Sequence, residues 1–485
     1  MKREFLINLI FLLGINVLVK PLYLFGIDRN VQNLLAPGEY GVYAQILSLT
    51  YLLQMIADFG LQNYNNRQIA QHRFLVGKYF PALVSAKILL SFLFASLVIG
   101  TSILLGYWQR FPDLVILLAL NQILLSFLLF LRSNVSGLGY YRWDSFLSIL
   151  DKLLMILLLG TVFWLGYQKE HFQLSWFVWA QTISFLTPIT LAIILLRKDL
   201  TRFRLRFNWP LITVIIKQSY PYALVVLLMT LYTRIDMIML GKLLKNGDVE
   251  ADLYASAYRL LDAANMFGYL FATLLLPMFA RLLKQQGMVG ALVRTGIQLI
   301  WAGAIPLTAA LFFYQDVVME ALYVDGSAYS GRILAWLMLS FIAVTGSYIY
   351  GTLLTANGSL MAMNRIFLIG VIANILLNWW LIPNYQSIGA AMATCVTQFF
   401  AFSAQVILSL RKVSLKTDIR LILRILGFSL LVGCSGWILK YYSPMHWVYS
   451  FIGVLTSGII WAIITRMLPL QESLQIFKSR NKFDQ

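Results

Sequence analysis

The sequence predicts an all-α integral membrane protein of about 14 transmembrane helices, and three observations carry that prediction. Hydrophobic residues fill 60% of the 485 positions and charged residues only 12%, where soluble chains carry about 25% charge. Mean hydropathy is accordingly +0.76. Apolar runs follow one another almost without interruption, each near the roughly 20 residues needed to cross a hydrocarbon core. Lysine and arginine gather in alternate loops between the runs.

Taken in order, the spans fall near 5–27, 41–62, 80–106, 112–131, 145–166, 172–196, 211–240, 256–279, 295–315, 332–356, 364–382, 387–410, 421–440 and 445–465. The first begins MKREFLINLIFLLG, a basic start and apolar run like those of a signal peptide. It has no small-x-small cleavage site, however, and stays apolar to Ile27, so it reads as a span. With the N-terminus placed inside, 25 of the 38 Lys and Arg fall in inner loops and tails and 6 in outer loops. This bias predicts both termini in the cytoplasm. The net charge of +18 is therefore a topology signal, and no nucleic-acid partner is expected. The runs RKDLTRFRLR and RKVSLKTDIR are placed to touch anionic membrane lipids.

The longest loops, 241–255 and 316–331, leave no room for a soluble catalytic domain. A membrane glycosyltransferase or polymerase would call for a large outer loop and a paired-carboxylate or metal motif, and neither is found. Cys395 and Cys434 both fall inside spans, with no metal-ligand spacing. The expectation is a protein that is not an enzyme and has no cofactor, with possible H+ or Na+ coupling.

The two halves echo each other. GIDRNVQNLLAPGEYGVYAQI runs from Gly26 to Ile46, and RIDMIMLGKLLKNGDVEADLYASAY from Arg234 to Tyr258. Each puts Ile-Asp at the outer end of a span, then a short loop, then a bulky residue before Tyr-Ala: Val42-Tyr43-Ala44 and Leu253-Tyr254-Ala255. Six spans per repeat keep both halves in one orientation. The predicted organisation is a six-helix lobe over 1–208, a second over 209–415, and two extra helices with a cytoplasmic tail over 416–485.

LLAPGEYGVYAQILSLTYLLQMIADFGLQNYNNRQIA (Leu34 to Ala70), TRIDMIMLG (Thr233 to Gly241) and NILLNWWLIPNYQSIGAAMAT (Asn374 to Thr394) resemble the polysaccharide exporters of the Wzx oligosaccharide-flippase type. That group lies within the wider superfamily holding MATE drug exporters and lipid II flippases. Where the family pattern has arginine in an Ala-Arg-Leu-Leu-Gly-Pro run, this chain has Asn33, with Ala36 at the usual glycine and Arg29 four residues earlier. The resemblance implies a MATE-like fold, two bundles around a central cavity that alternates between inward-open and outward-open. It also implies a bacterial inner-membrane location and a polysaccharide polymerase or ligase as partner.

Seven cations remain within or at the ends of spans: Lys20, Lys87, Lys152, Lys217, Arg234, Arg259 and Arg332. Each would cost about 2.5–3.5 kcal/mol at the centre of a lipid-facing helix, so each must line a wet cavity, find an acid or snorkel. Lys20 precedes Pro21, which removes a backbone donor and bends the helix; it either aims into a cavity or snorkels outward. Arg234, Asp236, Arg259 and Asp262 cluster near the outer ends of spans 7 and 8, as substrate site or as structural clamp. Asp151 and Lys152, adjacent in span 5, are expected to face different ways. Lys87 and Lys217 are expected to snorkel, and Arg332 to be interfacial. Arg67 matches a family arginine at the inner mouth. Asp58 has no cation within one turn, which makes it, with Asp236 and Asp262, a candidate for ion coupling. Asn374 and Asn378 share a face at i,i+4 and serve either sugar hydroxyls or interhelical hydrogen bonds.

Span 1 carries Lys20 and no acid, and a cationic lumen suits an anionic cargo. Pyrophosphate is the charged part of a polyprenyl-linked oligosaccharide, and lysine and arginine hold it by charge and hydrogen bonding. The expected function is a flippase carrying such a lipid-linked oligosaccharide from the inner to the outer leaflet for O-antigen, capsule or exopolysaccharide assembly. Lys20, Arg67, Arg234, Arg259, Asn374 and Asn378 are the candidate substrate contacts. The alternatives are a lipid II flippase, a MATE-type drug/cation antiporter, a membrane glycosyltransferase or polymerase, and a non-transporting scaffold.

Overall fold

The computed structural model describes residues 18–59, 61, 76–164, 166, 171–197, 209–285, 289–413, 415 and 418–468, and among them every regular element is helical. Helix α1 occupies 18–34. It stays helical through Pro21 and widens to a π-helical stretch at Leu24–Asp28 before the turns of Arg29–Leu34, so its irregularity falls just after the proline. Then follow α2 (Glu39–Asp58), α3 (Val76–Leu104), the single turn α4 (Tyr107–Arg110), α5 (Pro112–Gly137), α6 (Tyr141–Trp164), α7 (Leu174–Leu196) and α8 (Trp209–Leu243). The rest are α9 (Gly247–Lys284), α10 (Val289–Phe313), α11 (Gln315–Leu322), α12 (Ala328–Ala356), α13 (Leu360–Lys412), α14 (Ile419–Tyr442) and α15 (Trp447–Ile464).

Eleven of the described helices are long and apolar enough to cross a membrane, and the chain is a multi-pass membrane protein. One of the eleven, the 53-residue α13, carries two of the expected spans. Pro383 lies inside it, and Gln386 breaks it with φ +54° and ψ −134°, a left-handed conformation that costs a non-glycine residue about 1–3 kcal/mol. Helix α2 is not among the eleven because Gln45, Ser48, Thr50 and Gln54 dilute its apolar run. Most of the first expected span lies outside the described residues.

The chain divides into two compact units, Met1–Ser256 with Asn378–Gln386, and Ala257–Leu377 with Ser387–Gln485. In the first unit α2 packs against α3, α5 and α8, and its Gln45, Ser48 and Thr50 are buried along with its apolar side chains. Phe80, Leu83 and Leu90 of α3 meet Phe130, Leu131 and Val135 of α5 in an apolar cluster. In the second unit α10 packs against α12, α14 and α15. There Trp301 donates to the Ile342 carbonyl at 3.1 Å and Thr308 to that of Met338 at 3.2 Å. Ser327 caps α12 through a reciprocal bond with Ser330.

Gly41 lets the start of α2 lie directly on the first turn of α9. A Cβ at this position would stand 1.9 Å from the Asp248 carbonyl oxygen and 2.8 Å from the Asp252 nitrogen. Backbone cannot swing aside as a side chain can, so Gly41→Ala is expected to destabilise the protein by about 1–3 kcal/mol. Gly100→Ala, with nothing within 4 Å of its Cβ, serves as the control. Thermal unfolding of the purified variants compares them, and equal melting temperatures would contradict the close approach.

Candidate functional site

Lys20 and Tyr23 lie three residues apart on α1 and so share one of its faces. That face is turned to α6. The Lys152 ammonium stands 4.5 Å from the centroid of the Tyr23 ring, and one turn on, a Cβ at Gly26 would meet the Trp164 indole at 3.3 Å. Lys20 is half-buried and makes no hydrogen bond or ion pair with any described residue. Around it Lys152 and Arg132 oppose its charge and Asp151 favours it. Arg132 is itself held by Asp144 at 2.9 Å.

Lys152 and Asp151 are ion-paired at 3.3 Å, which corrects the expectation that neighbours on a helix face apart. The four-methylene stem of lysine is long enough to fold back on the adjoining carboxylate. Lys152 also interacts electrostatically with Tyr51 of α2 and Asp28 of α1. Arg234 of α8 lies over the same Tyr51 ring, 5.4 Å from its centroid. Lys20 and Lys152 are thereby neighbours in the first unit beside Tyr23, and Tyr51 lies in the surroundings of both Lys152 and Arg234. Sequence alone points to Lys20 and not to Lys152 as a candidate substrate contact. The one available signal for Lys152 was that an intramembrane lysine needs a reason to be there.

The other candidates are placed as follows. Asp236 is fully buried, accepting from the Tyr254 hydroxyl at 2.8 Å and from the Asn378 amide at 2.6 Å. Asn374, also fully buried, donates to Thr397 at 3.5 Å. Arg259 belongs to the second unit, where it is buried and donates to the Tyr323 hydroxyl at 3.4 Å. Asp262, in the same unit, lies in the electrostatic surroundings of Tyr348. Arg67 lies outside the described residues. Lys87 does not snorkel: it is 0% exposed and donates to Asp58 and to Ser126, each at 2.8 Å. Asp58 therefore has a cation, contributed by the next helix rather than by its own. Lys217 and Arg332 are exposed.

Both copies of the repeated segment hold their Ile-Asp carboxylate with a tyrosine of the following helix. Tyr40 donates to Asp28 at 3.2 Å, as Tyr254 does to Asp236 at 2.8 Å. The two copies also bond to each other. Gln32 donates to the carboxylate and carbonyl of Asp252, and the Gly38 N–H to the same carboxylate at 3.0 Å. Gln45 and Arg110 reach Asp248 at 3.0 and 3.1 Å. Tyr107 completes the network by donating to Gln45 at 2.9 Å. Burial pushes the Tyr107 hydroxyl well above its usual range, Asp248 adds to this and Arg110 opposes it, so at neutral pH it keeps the proton it donates.

The family model described as "Polysaccharide biosynthesis protein" matches residues 6–283. Among solved structures the chain is similar to the lipid II flippase MurJ in an inward closed conformation, with 16% identity, 89% of this chain and 98% of that one covered, and a TM-score of 0.56. It is similar also to the Vibrio cholerae MATE transporter VcmN, with 16% identity, coverage of 84% and 97%, and a TM-score of 0.55. A MATE protein in complex with MaL6 gives 14% identity, coverage of 84% and 95%, and a TM-score of 0.51. At these identities the likeness is one of fold. No curated protein matches the chain.

Proposed function

The chain belongs to the polysaccharide biosynthesis protein family, and from that premise we propose that it is a flippase for a polyprenyl-diphosphate-linked oligosaccharide, working by alternating access. The observation that carries this reading is Lys20, which has no hydrogen-bond or ion-pair partner among the described residues. A half-buried ammonium in the membrane is costly in an empty site and is favoured when an anion arrives. A diphosphate supplies that anion, Lys152 is the neighbouring cation to share it, and Arg234 over Tyr51 is a further candidate contact. Tyr23 and Tyr51, whose rings carry the Lys152 and Arg234 cations, add aromatic surface and hydroxyl groups beside the charges, suited to a sugar next to the phosphates. The polyprenyl tail would remain in lipid while the headgroup crosses.

Cargo of this class explains the sign of the site better than an exported drug cation, which calls for buried acids where this chain has lysine. Transfer of lipid II is the second reading, since its headgroup is also a polyprenyl-linked diphosphate and the similar MurJ structure is that of a lipid II flippase. The candidate acids Asp236 and Asp262 remain proposals for ion coupling, and Arg67, Arg259, Asn374 and Asn378 for further substrate contact.

In cells lacking the protein, polyprenyl-diphosphate-linked sugars should accumulate as one completed unit on the cytoplasmic leaflet, and restoring the gene should clear them. Mass spectrometry of the lipid pool, combined with a leaflet-selective probe, reads both quantities. An unchanged pool would rule the flippase out and direct the search to drug or ion export.

A further inference from the structure

Resting on the reading of Lys20 as a diphosphate contact, we propose that Asp151 is a built-in competitor of the cargo: it holds Lys152 while the site is empty and yields it when a diphosphate enters. Lys20 and Lys152 then grip the anion together, and the return of Lys152 to Asp151 favours release. The ligand chemistry is a diphosphate, carried on a lipid or free.

Two lysine–aspartate pairs in the first unit make the contrast on which this rests. Lys87 and Asp58 approach to 2.8 Å, within the 2.7–2.9 Å typical of a charge-assisted bond. The Lys87 side chain is 0% exposed and also bonded to Ser126, so nothing invites it to exchange. Lys152 and Asp151 stand at 3.3 Å, and the Lys152 side chain is 28% exposed. Their pairing is also awkward, because successive side chains leave a helix about 100° apart and the lysine must bend back to close it. Its ammonium rests over Tyr23, on the face of α1 that carries Lys20. A small rotation of the stem moves the charge from the carboxylate toward an anion beside Lys20. Lys152 can make this exchange without ever being left unpaired in the membrane, which a lysine without a neighbouring acid could not do.

The test uses the full-length protein in nanodiscs, with a polyprenyl diphosphate and inorganic pyrophosphate as separate probes, and reads affinity alongside export in cells. Asp151→Asn should bind about tenfold tighter than the parent and yet export more slowly, because Lys152 no longer has its acid to return to. Lys152→Gln should bind about tenfold more weakly. The double variant should bind no tighter than Lys152→Gln, since the carboxylate acts through that lysine. Asp151→Glu, which keeps the charge, should restore parental binding. Damage to folding would weaken binding in every variant and cannot produce tighter binding with slower export.

Equal or weaker binding by Asp151→Asn overturns the inference. If Lys20→Gln still abolishes binding in that case, the flippase reading survives its failure. If the parent protein binds neither probe, both fall together. The same ranking with free pyrophosphate but not with the lipid would support the exchange and assign the site to a soluble diphosphate.

Discussion

Replacing Lys20 and Arg234 together with glutamine is expected to abolish export while leaving a folded protein. The two halves of that expectation have separate grounds. Lys20 has no hydrogen-bond or ion-pair partner among the described residues, and its strongest charged neighbour is another lysine, so removing its charge relieves repulsion and breaks no bond. Arg234 lies over the ring of Tyr51, a contact worth about 0.5–2 kcal/mol, and has a further interaction besides. Glutamine, which keeps part of its length and its hydrogen-bonding capacity, is therefore the substitution chosen. Loss of cargo binding should be much larger. A hydrogen bond to a charged group contributes about 1.5–3 kcal/mol, so losing two to one diphosphate weakens transport by roughly two to four orders of magnitude. Leaflet-resolved lipid analysis measures export, and a melting curve of the purified variant measures folding. A double variant that exports normally would defeat the charge argument. One that fails to export and also melts early would leave the two cations with a structural role instead.

The fold was largely legible because the bilayer sets a length scale that apolar runs must meet. Where the structure departs from the reading, the reasons are local. Helix α2 escapes a hydropathy criterion because its polar side chains, Gln45 among them, are spent on partners such as Tyr107 and Asp248. Helix α13 joins two expected spans because Asn384 to Ser387 bend through one strained residue, Gln386, instead of opening into a loop. The site was only half legible. Lys20 announces itself, since an ammonium inside an apolar run with no acid nearby is conspicuous in sequence. Lys152 is hidden in the sequence because adjacent helical positions diverge, a rule that holds for Cβ directions and fails for the tip of a long flexible side chain. Partners distant in sequence were out of reach. Nothing in the chain announces that Asn378 will meet Asp236, 142 residues away, or that Lys87 will cross from α3 to Asp58.

That last pair yields the largest expected loss of stability. Lys87 is buried to 0% exposure, and its three N–H donors have three acceptors: Asp58 at 2.8 Å, Ser126 at 2.8 Å and the Ala57 carbonyl at 3.4 Å. The rings of Phe127 and Phe130 lie 6.0 and 5.7 Å from the ammonium, so water has little access to replace these bonds. Removing one partner of a buried pair costs about 3–5 kcal/mol because the other charge is left behind. Asp58→Asn should show this loss in full, since it strands the 0%-exposed Lys87 ammonium without its counter-charge. Lys87→Met should lose less, since the carboxylate it leaves behind is 25% exposed and water can reach it. Replacing both with apolar residues should recover much of the loss, as apolar substitutes often equal a buried ion pair. A double-mutant cycle on thermal or denaturant unfolding measures this coupling. The same variants also decide between two roles for Asp58. If it is a structural partner of Lys87, Asp58→Asn lowers stability and leaves the ion dependence of export unchanged. If it couples export to an ion gradient, stability is nearly preserved and the gradient dependence disappears. The complete set of bonds around Lys87 favours the structural role, because a carboxylate that must take up and release an ion on each cycle cannot also be the fixed counter-charge of a lysine with no access to water.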